Sequence, residues 1–244
     1  ANVTLLTGEQ VSRVLFKGTK AHGVALRDRE ILLNPGGEVI LSAGAIKSPH
    51  LLMLSGIGPG DMVRAQGIEV RHDAPEVGQN LADHLDITVM SKARDRLPIG
   101  IAPTYVPRAL RAAVAFGRKR GGELTSNVAE AGGFVRSDPD QPRPNLQFHF
   151  IPAYLRDHGR KTSFGYGMTL HVCDLLPKSR GRITLASPDP RAAPVIDAGY
   201  LSHPEDVATL LSGLKIARSV MAASALAKHV ASEVLPGAAL QSDA

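Results

Sequence analysis

The feature that most constrains this chain is residues 42–58, which read SAGAIKSPHLLMLSGIG. The preceding residues, Glu38 to Leu41, are predicted to form a strand. Ser48 can cap a helix that has Pro49 at its first position, where a missing N–H costs nothing, and Gly56 can end that helix. The segment therefore predicts a strand, a tight turn and a short helix. Such turns often bring a backbone close to a dinucleotide phosphate, and many others serve packing alone.

The composition is that of an ordinary globular protein. The 244 residues suffice for one large domain or two smaller ones, with 43% apolar and 21% charged residues. No apolar run has the length of a transmembrane helix, and no segment resembles a signal peptide. A single cysteine, Cys173, excludes an internal disulfide framework and fits a reducing compartment. We therefore expect a cytoplasmic protein.

The charge is basic, with a formal net charge of +5. Nucleic acid is not an expected partner, because aromatic residues are only 4% of the chain and there is no tryptophan to stack on bases. The basic residues at 108, 111 and 118–120 lie in or beside a predicted helix at Ala109–Arg120 and suggest peripheral contact with a membrane surface. A solvated helix face is the alternative. None of the nine histidines pairs at helical metal-ligand spacing, so no metal site is expected.

The apolar pattern predicts two regions. In the first, short strands are separated by turn residues; they are Val3–Leu6, Val11–Phe16, Val24–Leu26, Ile31–Leu33 and Glu38–Leu41. A short helix at Asp61–Gln66, a strand at Ile68–Val70 and an irregular connection at Pro75–Leu85 complete it.

The second region is expected to begin near Asp86. Ser91–Tyr105 lacks periodicity and is assigned to loop. The strands predicted after it are Val128–Val135, Leu146–Ile151, Met168–Cys173, Arg182–Leu185 and a short edge at Val195–Asp197. Because no long helices join them, the sheet should be antiparallel, and a helix beginning near Ser202 should pack on it.

Several of these strings resemble one family. The pattern G-A-x-x-S-P-x-L-L-x-x-S-G-I-G at residues 44–58 is similar to a signature of the glucose–methanol–choline (GMC) oxidoreductases, which are FAD-dependent alcohol oxidisers. Residues 75–84, PEVGQNLADH, are close to that family's P-G-V-G-x-N-L-x-D-H, with Glu76 in place of a glycine. Residues 130–136, 144–148 and 179–185 resemble its choline dehydrogenase and bacterial alcohol dehydrogenase branch.

The resemblance implies an α+β fold with two parts. Residues 1–85 would be a partial FAD-binding domain, and residues 86–244 a substrate domain with an antiparallel sheet and helices packed on one face. It also implies hydride transfer from an alcohol or choline to FAD. The electron acceptor, oxygen or a quinone, stays open.

Two family elements do not occur in this sequence. There is no G-x-G-x-x-G after a strand, which would hold the pyrophosphate, and no His-Pro-x-Gly-Thr, which in the family carries the catalytic histidine. We therefore assign no catalytic residue and expect the chain to be an internal fragment, inactive by itself and without bound FAD.

Four residues carry over from the family by position. Val11 corresponds to the residue whose backbone holds the adenine edge, and Ala43 and Gly44 to a strand end beside the cofactor. Glu130 corresponds to a carboxylate that faces the trimethylammonium group in the choline-oxidising branch. For each there is a structural alternative: a strand valine, close packing of strand on helix, and a solvent-facing glutamate. A non-catalytic substrate-binding or interaction module is the alternative for the whole chain.

Overall fold

The computed structural model describes residues 2–242, apart from the side chain of His158. The chain forms two compact units. The first comprises Ala1–Asp83 and Ser179–Ser202, and the second His84–Lys178 and His203–Ala244. The division after Asp83 lies close to the predicted boundary at 85/86, but the excursion Ser179–Ser202 belongs to the first unit, whereas the sequence pattern assigned it to the second domain.

Short strands and a few helices make up both units. In chain order, the strands are β1 (Arg13–Lys17), β2 (Lys20–Ala25), β3 (Glu30–Leu32), β4 (Ile57–Gly58), β5 (His72–Asp73), β6 (Asp86–Ala93), β7 (Gly100–Ile101), β8 (Ala131–Val135), β9 (Leu146–Ile151), β10 (Gly165–Asp174), β11 (Arg182–Thr184), β12 (Val195–Asp197) and β13 (Val230–Leu235). The helices are α1 (Gly44–Leu54), α2 (Gly60–Ala65), α3 (Val106–Lys119), α4 (Pro204–Ala222) and α5 (Ser224–Ala227).

The first unit is built around the signature helix. Strands β1, β2 and β3 form an antiparallel sheet, β4 and β5 pair in parallel, and β11 and β12 form a hairpin. Met53 and Leu54 of α1 pack with Ile183 and Leu185, which the returning segment contributes. This apolar contact explains why residues 179–202 belong to the first unit.

Three predictions for the first unit were wrong. Val3–Leu6 and Glu38–Leu41 are not strands; within residues 2–242 neither segment has a pairing partner, and Leu5 and Ile40 are largely exposed. Ile68–Val70 is not a strand either, because the pairing with β4 falls on β5 two residues later. A short apolar run forms a strand only where a neighbouring strand satisfies its backbone groups.

The second unit contains one six-stranded sheet. Its order is β13-β6-β10-β9-β8, with β7 also paired to β10, and every pair is antiparallel. Helix α4 packs on one face, where Ala217 and Met221 contact a core that includes Val89, Leu170 and Val172. The predicted α+β fold with an antiparallel sheet is confirmed.

Three strands of this sheet were not predicted from the sequence. β6 lies inside the sheet, and its second half, together with β7, occupies the segment assigned to loop. Ser91 is buried in β6 and Lys92 is exposed there, so polar residues interrupt the alternation by which strands are recognised. β13 was missed at the other end of the chain.

Candidate cofactor and substrate sites

The signature turn lies at the start of α1. The helix begins at Gly44, five residues before the predicted start, and includes Pro49. Gly44 has φ +79°, a conformation that glycine adopts without strain. The hydroxyl of Ser48 accepts a hydrogen bond from the Ala43 N–H at 3.0 Å, so Ser48 closes the turn from inside the helix and does not cap it. Ala43 and Gly44 are both exposed, and a β-carbon at Gly44 would meet no atom within 4 Å.

The same turn borders a cavity of about 330 Å³ within the first unit. Ala45 and Pro49 of α1 form one side, residues 78–82 form another, and Ile183 completes the lining. Asn80 has φ +59° and Gly78 has φ +86°. A β-carbon on Gly78 would lie 2.3 Å from the carbonyl oxygen of Ile183, so only glycine fits there. The two sequence motifs, 42–58 and 75–84, thus meet at one cavity.

Val11 lies just before β1 and is half-buried. Among the described residues, no hydrogen bond engages its backbone N–H or carbonyl group, whereas the N–H of the next residue, Ser12, donates to the carbonyl of Ala25 at 2.8 Å. Its neighbours Gln10 and Ser12 line an open cleft of about 850 Å³ with the β2–β3 turn and Pro188–Arg191. Val11 therefore offers a free backbone edge beside a cleft large enough for part of a nucleotide.

The end of α1 is tied to β1, the strand that follows Val11. The N–H of Val14 donates to the hydroxyl of Ser55 at 2.8 Å, and that hydroxyl donates to the carbonyl of Leu51 at 2.6 Å. Ser55 is buried. This relay fixes the position of the signature helix relative to the Val11 strand.

A basic residue and a buried histidine accompany the signature turn. Lys47 Nζ lies 3.4 Å from Nδ1 of His50, and His50 is buried. Burial lowers the pKa of His50, and the charge of Lys47 lowers it further, so the ring is neutral at pH 7. Lys47 adds positive charge to a helix N-terminus that already favours anions. The sequence pattern singled out neither residue.

In the second unit the sheet has a polar face opposite α4. Strand register places His149 directly across from His171, and His171 across from Thr88, while Gln147, Cys173 and Asp86 form the next row. Nδ1 of His171 is hydrogen-bonded to Asp86 Oδ2, and His171 is buried. We refer to these six residues as the polar face.

Glu130 immediately precedes β8 and lies two residues before Gly132, which pairs with His149 of the polar face. Its side chain is exposed, and Oε1 accepts a hydrogen bond from the Ser126 hydroxyl at 2.6 Å. Phe134, on the same strand, is also exposed. Glu130 is thus placed at the edge of the polar face.

Two features are absent from the part of the chain that the structure describes. Among residues 2–242, excluding the side chain of His158, no group of three or more His, Cys, Asp or Glu residues is placed to hold a metal ion. None of the helices in this part of the chain is long and apolar enough to cross a membrane.

Comparison with known proteins identifies the family. The N-terminal GMC oxidoreductase family model matches residues 1–86 and the C-terminal one residues 177–244, together more than half of the chain. The chain belongs to the GMC oxidoreductase family. The two matched ranges include both motifs that meet at the 330 Å³ cavity.

Relatives of known function cover the whole chain. The alcohol dehydrogenase [acceptor] of Pseudomonas putida is 52% identical over 99% of this chain. An oxygen-dependent choline dehydrogenase of Stenotrophomonas maltophilia is 39% identical over 100% of it. These matches cover 45% and 44% of the relatives, so the chain spans less than half of their length.

A solved structure shares the fold. A formate oxidase variant from Aspergillus oryzae, studied for modification of its FAD, superposes with a TM-score of 0.83 over 96% of this chain and 46% of its own. At 24% sequence identity this similarity supports the fold alone. The shared fold therefore extends through the middle of the chain, which neither family model covers.

Proposed function

We propose that the full-length protein is an FAD-dependent oxidoreductase that oxidises an alcohol to the corresponding carbonyl compound. The observation that carries this proposal is the convergence of the two GMC motifs on one cavity in the first unit. When bound, FAD supplies the hydride acceptor. This chain supplies part of the cofactor site and one wall of the substrate site.

The residues of the first unit fit a dinucleotide. The backbone edge of Val11 is free to pair with a heterocycle, and it lies beside a cleft of about 850 Å³. The exposed start of α1, with Ala43, Gly44 and Lys47, presents backbone N–H groups and positive charge to a negative group. We propose Val11, Ala43 and Gly44 as cofactor contacts. We add Lys47, which the sequence analysis did not select, as a fourth contact.

On the substrate side, we propose that Glu130 and the polar face line the site. The hydrogen bond from His171 to Asp86 fixes that ring, while His149, across the strand pair, is only half-buried. Oε1 of Glu130 accepts the hydrogen bond from Ser126, which leaves the other carboxylate oxygen for a substrate.

Of the two substrate classes, we propose an uncharged alcohol. The alcohol dehydrogenase is the more similar of the two relatives named above, at 52% against 39%. Quaternary ammonium groups are held by aromatic faces, and tryptophan holds them best. This 244-residue sequence contains no tryptophan. Phe134 is the aromatic residue on the Glu130 strand, and it is exposed.

Anaerobic mixing of the full-length protein with alcohols tests the general proposal. Bleaching of the visible flavin absorbance by a primary alcohol is the expected result. A protein that carries FAD but is bleached by no alcohol would instead support the non-catalytic binding module.

Glu130→Gln in the full-length protein tests the substrate class. If the protein instead bound choline through Glu130, loss of that desolvated charge partner would cost about 2–5 kcal/mol and would appear mainly as a higher KM for choline. For an uncharged alcohol of the same shape, KM should change by less than about threefold. Ser126→Ala is the matched control, because it removes the contact to Glu130 but keeps the carboxylate. A large KM increase for choline alone would overturn the uncharged-alcohol proposal.

A further inference from the structure

Helix α3 is packed with its small residues inward and its large aliphatic residues outward. Ala112 is the buried residue of the helix, and Ala109, Ala115 and Phe116 are half-buried. Val106, Leu110 and Val114, each four residues apart, form one exposed line; Leu110 is 63% exposed and Val114 52%. We call these three residues the aliphatic stripe.

The inner side of α3 is held by Arg108. Its guanidinium pairs with Glu123 at 2.7 Å and also donates to the carbonyl of Leu97 at 2.6 Å. Glu123 in turn accepts a hydrogen bond from the Tyr105 hydroxyl at 3.0 Å. Arg108, which the sequence pattern placed among the membrane-facing cations, is therefore occupied in anchoring the helix.

The remaining cations of α3 are available on its surface. Arg118 lies four residues after Val114 and so extends the row formed by the aliphatic stripe. Arg111 lies seven residues before Arg118, on the same side of the helix. Within residues 2–242 no ion pair engages Arg111, Arg118 or Lys119, while Arg120 stacks on Phe116. The helix contains no acidic residue.

The net charge of the protein is concentrated around this helix. Residues 94–125 contain seven basic and two acidic residues, a net charge of +5 that equals the formal net charge of all 244 residues. In the sequence the basic residues look scattered, and the structure places Arg111, Arg118 and Lys119, all exposed, on the same helix as the aliphatic stripe.

We propose that α3 lies flat on an anionic lipid bilayer. The aliphatic stripe would enter the boundary between headgroups and acyl chains, and Arg111, Arg118 and Lys119 would contact the headgroups. Fourteen residues give a helix of roughly 21 Å, long enough to lie in the interface but shorter than a membrane span. This proposal is independent of the alcohol oxidation proposed above.

Charge complementarity selects the lipid surface over a second copy of the chain. The same helix of another copy would bring its own Arg111, Arg118 and Lys119, with no acidic residue of the helix to balance them, against those of this one. Each basic residue near an anionic membrane surface strengthens binding about fivefold, and salt weakens the attraction.

Vesicle flotation with the purified 244-residue chain tests the proposal. Binding is expected to phosphatidylcholine vesicles that contain phosphatidylglycerol, with much weaker binding to pure phosphatidylcholine and to anionic vesicles at high salt. Leu110→Glu with Val114→Glu should abolish binding. Arg111→Glu with Arg118→Glu should weaken it at least about 25-fold, the square of the single-residue effect.

Two matched controls lie outside α3. Val195→Glu changes an aliphatic residue of similar exposure, 51%, and Arg143→Glu reverses an exposed charge of the second unit. Both should bind vesicles like the unchanged chain. Leu110→Ala with Val114→Ala, which retains helix propensity, should also weaken binding and separates loss of contact from loss of folding.

Three results would overturn the proposal. They are failure of the chain to bind anionic vesicles, binding that the stripe and charge variants leave unchanged, and a chain dimer that the stripe variants convert to monomer without any flotation.

Discussion

Gly213 of α4 lies directly over Val172 of β10, so close that a β-carbon on Gly213 would meet Cγ1 of Val172 at 2.6 Å and the methyl groups of Leu146 at 3.2 Å. Val172 and Leu146 are both fully buried. The close approach of helix and sheet at this point therefore depends on a missing side chain.

Gly213→Ala should lower the free energy of unfolding by about 1–3 kcal/mol, because overpacking a dense core outweighs the gain in helix propensity. Denaturant unfolding measures it. Gly117→Ala in α3 is the control, since a β-carbon there meets no atom within 4 Å and the change should stabilise by up to about 1 kcal/mol. Equal effects at the two sites would show that Gly213 is not a packing residue.

Cys173 should react slowly with alkylating reagents at neutral pH. Burial, with the charge of Asp86 added, raises its pKa to about 11, so the nucleophilic thiolate is scarce. The rate should rise with pH along a titration near 11. Because Cys173 is the only cysteine in the sequence, every modification reports on it.

The raised thiol pKa also has a consequence for stability. The unfolded thiol ionises near 9.0, below the folded value, so the folded state resists ionisation. The free energy of unfolding should fall as pH rises from about 9 toward 11 through this group, and Cys173→Ser should lose that part of the dependence. An alkylation profile centred near the pKa of a free cysteine would contradict both statements.

The pair Arg218–Glu233 joins α4 to the edge strand β13. Two N–H groups of Arg218 bind the two carboxylate oxygens of Glu233 at 2.7 and 3.0 Å, and both side chains are largely buried. Glu233→Gln should destabilise by about 2–4 kcal/mol, because a partly buried guanidinium loses its counter-charge. The exposed pair Arg191–Asp189 provides the comparison: Asp189→Asn should change the free energy of unfolding much less, because solvent screens that pair. Thermal unfolding of the two variants measures the difference.

The 244-residue chain is expected to copurify without FAD. It offers the Val11 edge and the α1 turn, but its sequence contains no Gly-rich turn after a strand to hold the pyrophosphate, from which much of the binding free energy is drawn. The absorbance spectrum of the purified chain measures its FAD content, and flavin absorbance that corresponds to one FAD per chain would refute the expectation.

Local sequence patterns correctly predicted strands and helices in which the periodic spacing of apolar residues is unbroken. Leu146–Ile151 alternates apolar and polar residues and forms β9 with those bounds, as Val195–Asp197 forms β12. Helix α4 was predicted to begin near Ser202; it begins at Pro204, and its first turn is capped by Nδ1 of His203, which accepts a hydrogen bond from the Glu205 N–H. Propensity and periodicity locate an element better than its ends, because the end depends on which side chain reaches the free N–H groups.

For the fold and the candidate sites as a whole, some features can likewise be predicted from local sequence, and others depend on tertiary structure. The GMC motifs are visible in the sequence because each is a run of neighbouring residues, and the antiparallel sheet was expected because no long helices join its strands. Val11, Ala43 and Gly44 as cofactor contacts and Glu130 as a substrate contact stay predictions. Tertiary structure alone decided that β6 lies inside that sheet, that residues 179–202 return to the first unit, that His171 meets Asp86, and that the aliphatic side of α3 faces outward. These features are pairings of distant segments. Which of these pairings forms depends on burial and hydrogen bonding throughout the fold, and a short stretch of sequence does not contain that information.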